Sequence, residues 1–415
     1  MKANSLSQYA AHIGLDWADK KHDVCLIFKD NSQMEYDQFE HTPQAIDDWV
    51  LTLRKRISNQ RVAICLELKN GPIVYALLKY PFIDLYPIPP ATLAKYRETF
   101  THSGAKDDPS DAFLMVDFMR RHDDQLTLIT PDNEQTRILE RFVRQRRLLV
   151  HDKVRLTNRV TRALKDYYPQ VLEWFNEIDT VVFCDFVKQW PNLSKAKRAH
   201  KTTLVDFFHA HHVRKTSIID QRINAIKTAM ALTKDKAVID PSQYYVLYLI
   251  DTLKLLLLSI KQYNKRIAEQ FEAHPDYELF HSFPGAGPVY GPRLLVAMGS
   301  QRERFQSSDE LVRQTGIAPV IKRSGESTWI HWRYCCPTFV RQTFVEWANQ
   351  SIHYSYWAKV YYEKQKAKGK GHQTILRALA YKWARILFRC WKNHEPYNEI
   401  KYMLSLKKKN SPLVS

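Results

Sequence analysis

Four carboxylates in the first quarter of the chain, Asp16, Glu67, Asp108 and Asp111, have the types and spacing to hold divalent cations. Asp16 and Glu67 each close a short apolar run that reads as a strand, Ala11-His-Ile-Gly-Leu-Asp16 and Arg61-Val-Ala-Ile-Cys-Leu-Glu67. Asp108 and Asp111 lie three apart in Ala105-Lys-Asp-Asp-Pro-Ser-Asp-Ala112, where a helix is expected to begin, so both project from one helical face. Two-metal phosphodiester chemistry needs three or four carboxylates around ions roughly 4 Å apart. Mg²⁺ or Mn²⁺ prefers such hard oxygen donors. Each acid also has a plainer use: Asp16 and Glu67 as polar strand ends, Asp108 as an N-cap before Pro109, and Asp111 near the positive helix end.

The elements that must position these acids alternate along residues 1–130. Strands are expected at 11–16, 22–29, 34–40, 61–67 and 82–88, and helices at 43–57, 71–80, 91–100 and 109–122. Three strands on short turns, then helix–strand–helix–strand, is the order of an RNase H-like (RuvC-like) α/β domain. In that topology the first and fourth strands are adjacent and parallel, which would make Asp16 and Glu67 neighbours at one sheet edge.

Residues 131–276 change character. Glu134 to Lys165 repeats apolar positions at helical spacing, and between Arg137 and Lys165 ten Lys/Arg face only Glu140 and Asp152. A second helical stretch, 217–273, reads as interrupted near Asp240-Pro241. Together they predict a basic antiparallel coiled-coil arm with a helical insertion at its tip. Arg137, Arg144, Arg146, Arg147, Arg155 and Arg159 on that arm are expected to meet nucleic-acid phosphates. Within the insertion, His209-Ala-His-His212 reads as a solvated loop rather than a metal site. Residues 277–400 predict a mainly helical domain. It opens with Phe283-Pro-Gly-Ala-Gly-Pro288, a helix-hairpin-helix-like turn, and contains Gly316-Ile-Ala-Pro319 and a loop from Lys322 to Thr328. Aromatic-rich helices are expected from 337 to 362 and 373 to 391, and the basic tail 401–415 is expected to be disordered.

The 415 residues carry 62 Lys+Arg against 44 Asp+Glu, a net charge of +18, which favours a polyanionic partner such as nucleic acid. The six cysteines form no CxxC pair and no zinc spacing, so reduced, mostly buried thiols in a cytosolic protein are expected. The first eight residues hold no apolar run, so no secretory leader is expected. The apolar stretch 244–260 is broken by Asp251 and Lys254 and reads as a buried helix, so no membrane partner is expected.

These motifs resemble those of the DEDD-type insertion-sequence transposases (insertion-sequence family one-ten), whose members are bridge-RNA-guided serine recombinases. Gly14-Leu-Asp16 resembles the family's opening motif, Cys65-Leu-Glu67 its second, and Ala105 to Ala112 its paired-aspartate motif. Phe283 to Pro288, Gly316 to Pro319 and Ser324-Gly325 are similar to the signature of its C-terminal transposase domain. Where many members carry a Lys-x-Gly turn after the serine loop, this chain has Trp332-Arg-Tyr-Cys-Cys-Pro337. The resemblance implies that Asp16, Glu67, Asp108 and Asp111 are the metal-binding acids and that Ser324 is the nucleophile, with Ser327 its rival. Lys322 and Arg323 would draw in the phosphate. It implies double-stranded donor and target DNA, a structured non-coding guide RNA, a homo-oligomer (dimer or tetramer), and a place in the bacterial cytoplasm, on the nucleoid when active. Two other readings use the same residues: a metal-dependent junction-resolving nuclease that employs water, and a non-catalytic nucleic-acid-binding protein.

Overall fold

The structure, a computed structural model, describes residues 8–29, 33–100, 108–411 and 413, with the side chains of 108–110 left aside. The chain is mixed α/β and mostly helical, and it divides into two units, Met1–Pro131 and Asp132–Ser415.

The first unit holds β1 (Ala11–Trp17), β2 (Lys21–Phe28), β3 (Met34–Glu40), α1 (Pro43–Arg56), β4 (Val62–Leu66), α2 (Pro72–Leu77), β5 (Ile83–Pro87), α3 (Pro90–Arg97) and α4 (Asp108–Arg121). Its sheet runs β3-β2-β1-β4-β5. The first three strands form antiparallel pairs, while β4 lies parallel to both β1 and β5. The expected adjacency of the first and fourth strands is therefore present. β4 is apolar on each face because helices cover both sides, whereas β1 is apolar on the α1 face and carries His12, Gly14 and Asp16 on the other. Ile13, Leu15, Ile64 and Leu66 pack with Trp49, Val50 and Leu53 of α1 and Ile73 and Leu77 of α2. On the opposite face Cys25, Ala63 and Cys65 pack with Ala112, Met115, Val116 and Met119 of α4. Gly14 is what lets α4 come this close: a Cβ there would collide with the Ala112 carbonyl oxygen and stand 2.9 Å from Val116 N.

The second unit opens with α5 (Glu134–Tyr167), followed by α6 (Gln170–Trp174), α7 (Val181–Gln189), α8 (Leu193–Arg198), α9 (Lys201–Ala210), α10 (Thr216–Thr228) and α11 (Lys236–Glu272). Then come α12 (Tyr277–His281), α13 (Gly287–Met298), α14 (Ser308–Gln314), β6 (Val320–Ser324), β7 (Ser327–His331), α15 (Thr338–Ser351), α16 (Tyr356–Ala367), α17 (His372–Asn393) and α18 (Glu399–Lys408). Helices α5 and α11 run antiparallel: Arg146 Nε donates to Asn264 at 2.7 Å, and further along Arg159 Nη2 donates to Tyr245 Oη at 2.6 Å. The pair joins two hydrophobic cores. Leu139, Val143, Ile267 and Phe271 belong to the core of the C-terminal helices. Leu156, Val160, Leu164, Val246, Leu249 and Leu253 belong to the core of the insertion, with aromatic residues of α7 and α9.

Several expectations need correction. Helix α11 passes through Pro241 unbroken; the gap lies at 229–235, and Asp235 restarts the helix by accepting from Ala237 N at 2.9 Å. Pro241 sits near the new N-terminus, so it removes only one helical hydrogen bond. The stretch 244–260 is buried on one side only: Leu249 and Leu253 are inside, whereas Tyr244 is 80% and Leu255 66% exposed. Among the described residues α11 is the one helix long and apolar enough to cross a membrane. The basic tail is not disordered over 401–408. Asn398 caps α18 through Lys401 N, and Tyr402 and Leu406, four apart, dock on the C-terminal core. His211 is no solvated loop residue either: its Nε2 stands 3.1 Å from Asp185, which also accepts from Lys254. The Lys322–Thr328 loop is a β-hairpin. Of the cysteines, Cys336 fills the space beside Gly316, while Cys335 is exposed.

Candidate active site

Asp23 of β2 lies across from Asp16 of β1, and Glu67 immediately follows β4. Register pairs Asp16 with Asp23, and Gly14 with both Cys25 and Cys65. Side chains alternate along a strand, so Asp16 and Asp23 continue the face begun by Gly14 and Cys25, the face that α4 covers, and Glu67 follows two residues after Cys65 of that face. Asp16 and Glu67 are half-buried, at the C-terminal ends of parallel strands. Asp23 is buried and accepts from Gln38 Nε2 at 2.6 Å. The sequence reading passed over it. The alternation of His22-Asp-Val-Cys-Leu-Ile would have found it once the hairpin register with β1 was written out.

Asp111, beside the Ala112 that rests on Gly14, is only 2% exposed. The guanidinium of Arg97, at the end of α3, donates Nε and Nη2 to its Oδ1 at 2.9 and 2.5 Å. A carboxylate so deep requires a charged partner, and Arg97 supplies one. Asp108 opens α4, and its side chain lies outside the described residues. The donor type, carboxylate oxygen, fits a hard dication. Among the described residues, however, no three His, Cys, Asp or Glu side chains stand close enough together to hold an ion.

Ser324 lies in the second unit, at the tip of the β6–β7 hairpin. It pairs directly with Ser327 across the two-residue turn Gly325-Glu326, so both hydroxyls share a face with Lys322 and Trp329, and Arg323 points the other way. Gly325 takes φ 58°, the left-handed region that such turns demand. From Ile321 to His331 every residue is exposed. At the root of the hairpin, Trp332 carries the guanidiniums of Arg341 and Arg377 at 4.3 and 4.7 Å from its ring. The Phe283–Pro288 turn is packed inward: Trp347 Nε1 donates to Pro284 O at 3.0 Å, and a Cβ on Gly285 would press on Gln350.

The arm arginines divide into two groups. Arg137, Arg144, Arg155 and Arg159 are exposed, with Arg144 paired to Glu140, and Arg155 to Asp152. Arg146 and Arg147 are partly buried against the C-terminal helices.

A transposase family model named for the DEDD acids of IS110 elements matches residues 13–169, which include all four acids. A second model, the transposase IS116/IS110/IS902 family, matches residues 277–363, which include the serine hairpin. The chain belongs to the DEDD-type insertion-sequence transposases. It is 23% identical over 393 residues to the "Mini-circle putative transposase for IS117" of Streptomyces coelicolor, covering 93% of this chain and 95% of that one. It is 22% identical over 381 residues to the "Insertion element IS116 uncharacterized 44.8 kDa protein" of Streptomyces clavuligerus, covering 91% and 93%. A transposase of this family acts on DNA, and the net charge of +18 suits that substrate.

Proposed function

We propose that this transposase cuts and rejoins DNA through a phosphoserine intermediate at Ser324, guided by a structured RNA. The observation that carries the reading is the exposed hairpin, which presents one serine beside Gly325 with Lys322 on the same face. The Ser324 oxygen attacks the backbone phosphorus, the bond to the leaving strand breaks, and that strand's oxygen takes up a proton. The serine proton passes to a carboxylate or to water. Exchange of strand ends and the reverse attack reseal the backbone and free the serine.

Asp16, Glu67, Asp108 and Asp111 are the residues that would hold Mg²⁺ or Mn²⁺, and Asp23 lies across the β1–β2 pair from Asp16. Bound there, the ion would supply positive charge to the scissile phosphate. We read the 3-2-1-4-5 sheet as RNase H-like, with the acids in that fold's usual place. Arg97 holds the Asp111 carboxylate in orientation, and α4 covers that side of the sheet around Gly14. Acids and serine belong to separate units, which a homo-oligomer, dimer or tetramer, could unite across subunits. Delegating sequence choice to a guide RNA leaves the protein to read backbones, for which Arg137, Arg144, Arg155, Arg159 and Arg323 are suited.

The test is to trap protein–DNA adducts by denaturation. Wild type should yield an adduct that Ser324→Ala loses while still binding DNA and RNA. An adduct that persists in Ser324→Ala and disappears in Ser327→Ala would transfer the role across the hairpin. Cleavage without any adduct in the wild type would favour the hydrolytic nuclease.

A further inference from the structure

Where the arm meets the C-terminal helices, positive charge is concentrated beyond what the fold uses. Arg146 and Arg147 of α5 meet Arg293 of α13 there. The Arg147 and Arg293 guanidiniums both sit on the Phe339 ring, 4.3 and 4.7 Å from its centre. Arg293 donates Nε to Thr343 at 3.0 Å and Nη1 to Glu346 at 2.9 Å. Arg146 Nε donates to the neutral Asn264 at 2.7 Å. The Arg147 Nε is buried and has no acceptor among the described residues. Burial first, then repulsion by Arg293, pushes both Arg146 and Arg147 below the usual arginine range, against the pull of Glu346.

Three guanidiniums thus share one carboxylate. Packing alone does not call for this: each guanidinium has five N–H donors to satisfy, and like charges held together cost free energy. An anion with several oxygens, seated between planar forks already oriented by an aromatic ring, would relieve both problems.

We propose that Arg146, Arg147 and Arg293 form a phosphate seat for a nucleic-acid backbone at the root of the arm. The inference rests on the reading of this protein as one that grips nucleic acid, and it adds Arg293, which the sequence did not single out. It also separates the two inner arm arginines from Arg144 and Arg155, whose nearest partners are acids on their own helix. The ligand chemistry is a phosphodiester, and its source is either DNA or RNA.

The experiment uses the full-length protein, a random-sequence DNA duplex, an RNA hairpin and tripolyphosphate as probes. For wild type, Arg147→Gln and Arg293→Gln, the slope of log affinity against log salt is measured for each nucleic acid. Each variant should lower that slope by about one on the nucleic acid that occupies the seat. The arm on which the slope falls names the source. Tripolyphosphate should raise the thermal midpoint of the wild type and not that of the variants. Free Arg147→Gln should melt no lower than wild type, because repulsion has been relieved, whereas Arg293→Gln also loses the bonds to Thr343 and Glu346. Because Arg293 is the deeper residue, Arg147→Gln is the decisive variant should Arg293→Gln misfold. Unchanged slopes on both probes, with a free Arg147→Gln protein melting several degrees lower, would reduce the cluster to a packing staple between α5, α13 and α15. An adduct at Ser324 with unchanged slopes would defeat the seat alone; altered slopes without any adduct would defeat the phosphoserine reading alone.

Discussion

The acidic sheet edge and the serine hairpin are built to opposite specifications. Asp111 is 2% exposed, ion-paired to Arg97, and set on a helix pressed so tightly to the sheet that Gly14 must lack a side chain. The hairpin touches little: its two strands pair with each other, and Ile330 is 72% exposed. On the proposed reading the contrast has a purpose: metal ligands are best held within a fraction of an ångström before an ion arrives, which packing achieves. A nucleophile has to reach into its substrate, which suits a carrier that stands free. Rigidity and reach divide between the two units.

This contrast is sharpest in paired substitutions. Asp111→Asn should abolish recombination and also destabilise the first unit by about 3 kcal/mol, since it removes the buried carboxylate that pairs with the half-buried Arg97. Glu67→Gln should abolish recombination with the unfolding midpoint unchanged. Urea denaturation beside a recombination assay separates the two, and equal stability of both variants would show that the Arg97–Asp111 pair does not hold α3 to α4.

Next in size is Gly14→Ala, which drives a methyl group into the Ala112 carbonyl. A loss of about 3 kcal/mol in urea unfolding is expected. A loss below about 1 kcal/mol would mean that α4 can lift from the sheet and that the frame is softer than described.

Acid should act on the same unit. His22 is fully buried, and burial, then His41, pushes its pKa down to about 4, against the pull of Asp23. Unfolded, it titrates near 6.5. Its contribution is complete above about pH 6.5 and is lost as pH falls toward 4, because the unfolded state binds the extra proton, for about 3 kcal/mol in all. Unfolding free energies of wild type and His22→Gln across that window check it; parallel curves would count against a neutral buried His22.

The smallest effect belongs to the hairpin. Gly325→Ala strains a left-handed turn by about 1 kcal/mol. The strain should remain local, leaving the global midpoint within about 1 °C while lowering adduct yield. A drop of several degrees would make the hairpin part of the core and erase the contrast with Gly14.

Much of this was legible in the chain because it depends on local pattern. The apolar runs ending at Asp16 and Glu67 specify strands, their order with α1 and α2 specifies the parallel pair, and the heptad-like spacing of α5 specifies a helical arm. Pro241 misled because a cap six residues earlier outweighs one missing hydrogen bond, and the tail misled because Tyr402 and Leu406 find a core that no local signal announces. The serine loop was read as irregular because Val320 to His331 lacks a buried face to impose clean alternation.

The sequence by itself determined which residues have the chemistry: four acids of hard oxygen, a serine beside a glycine, and an excess of guanidinium. Tertiary structure alone decided their circumstances. It set Asp23 across from Asp16, gave Asp111 to Arg97, left Ser324 exposed, and drew Arg293 from α13 to Arg146 and Arg147 on α5. These are contacts between residues distant in sequence, selected by how helices and strands pack. Packing depends on the shapes of whole faces, which the spacing of residues along one chain segment does not encode.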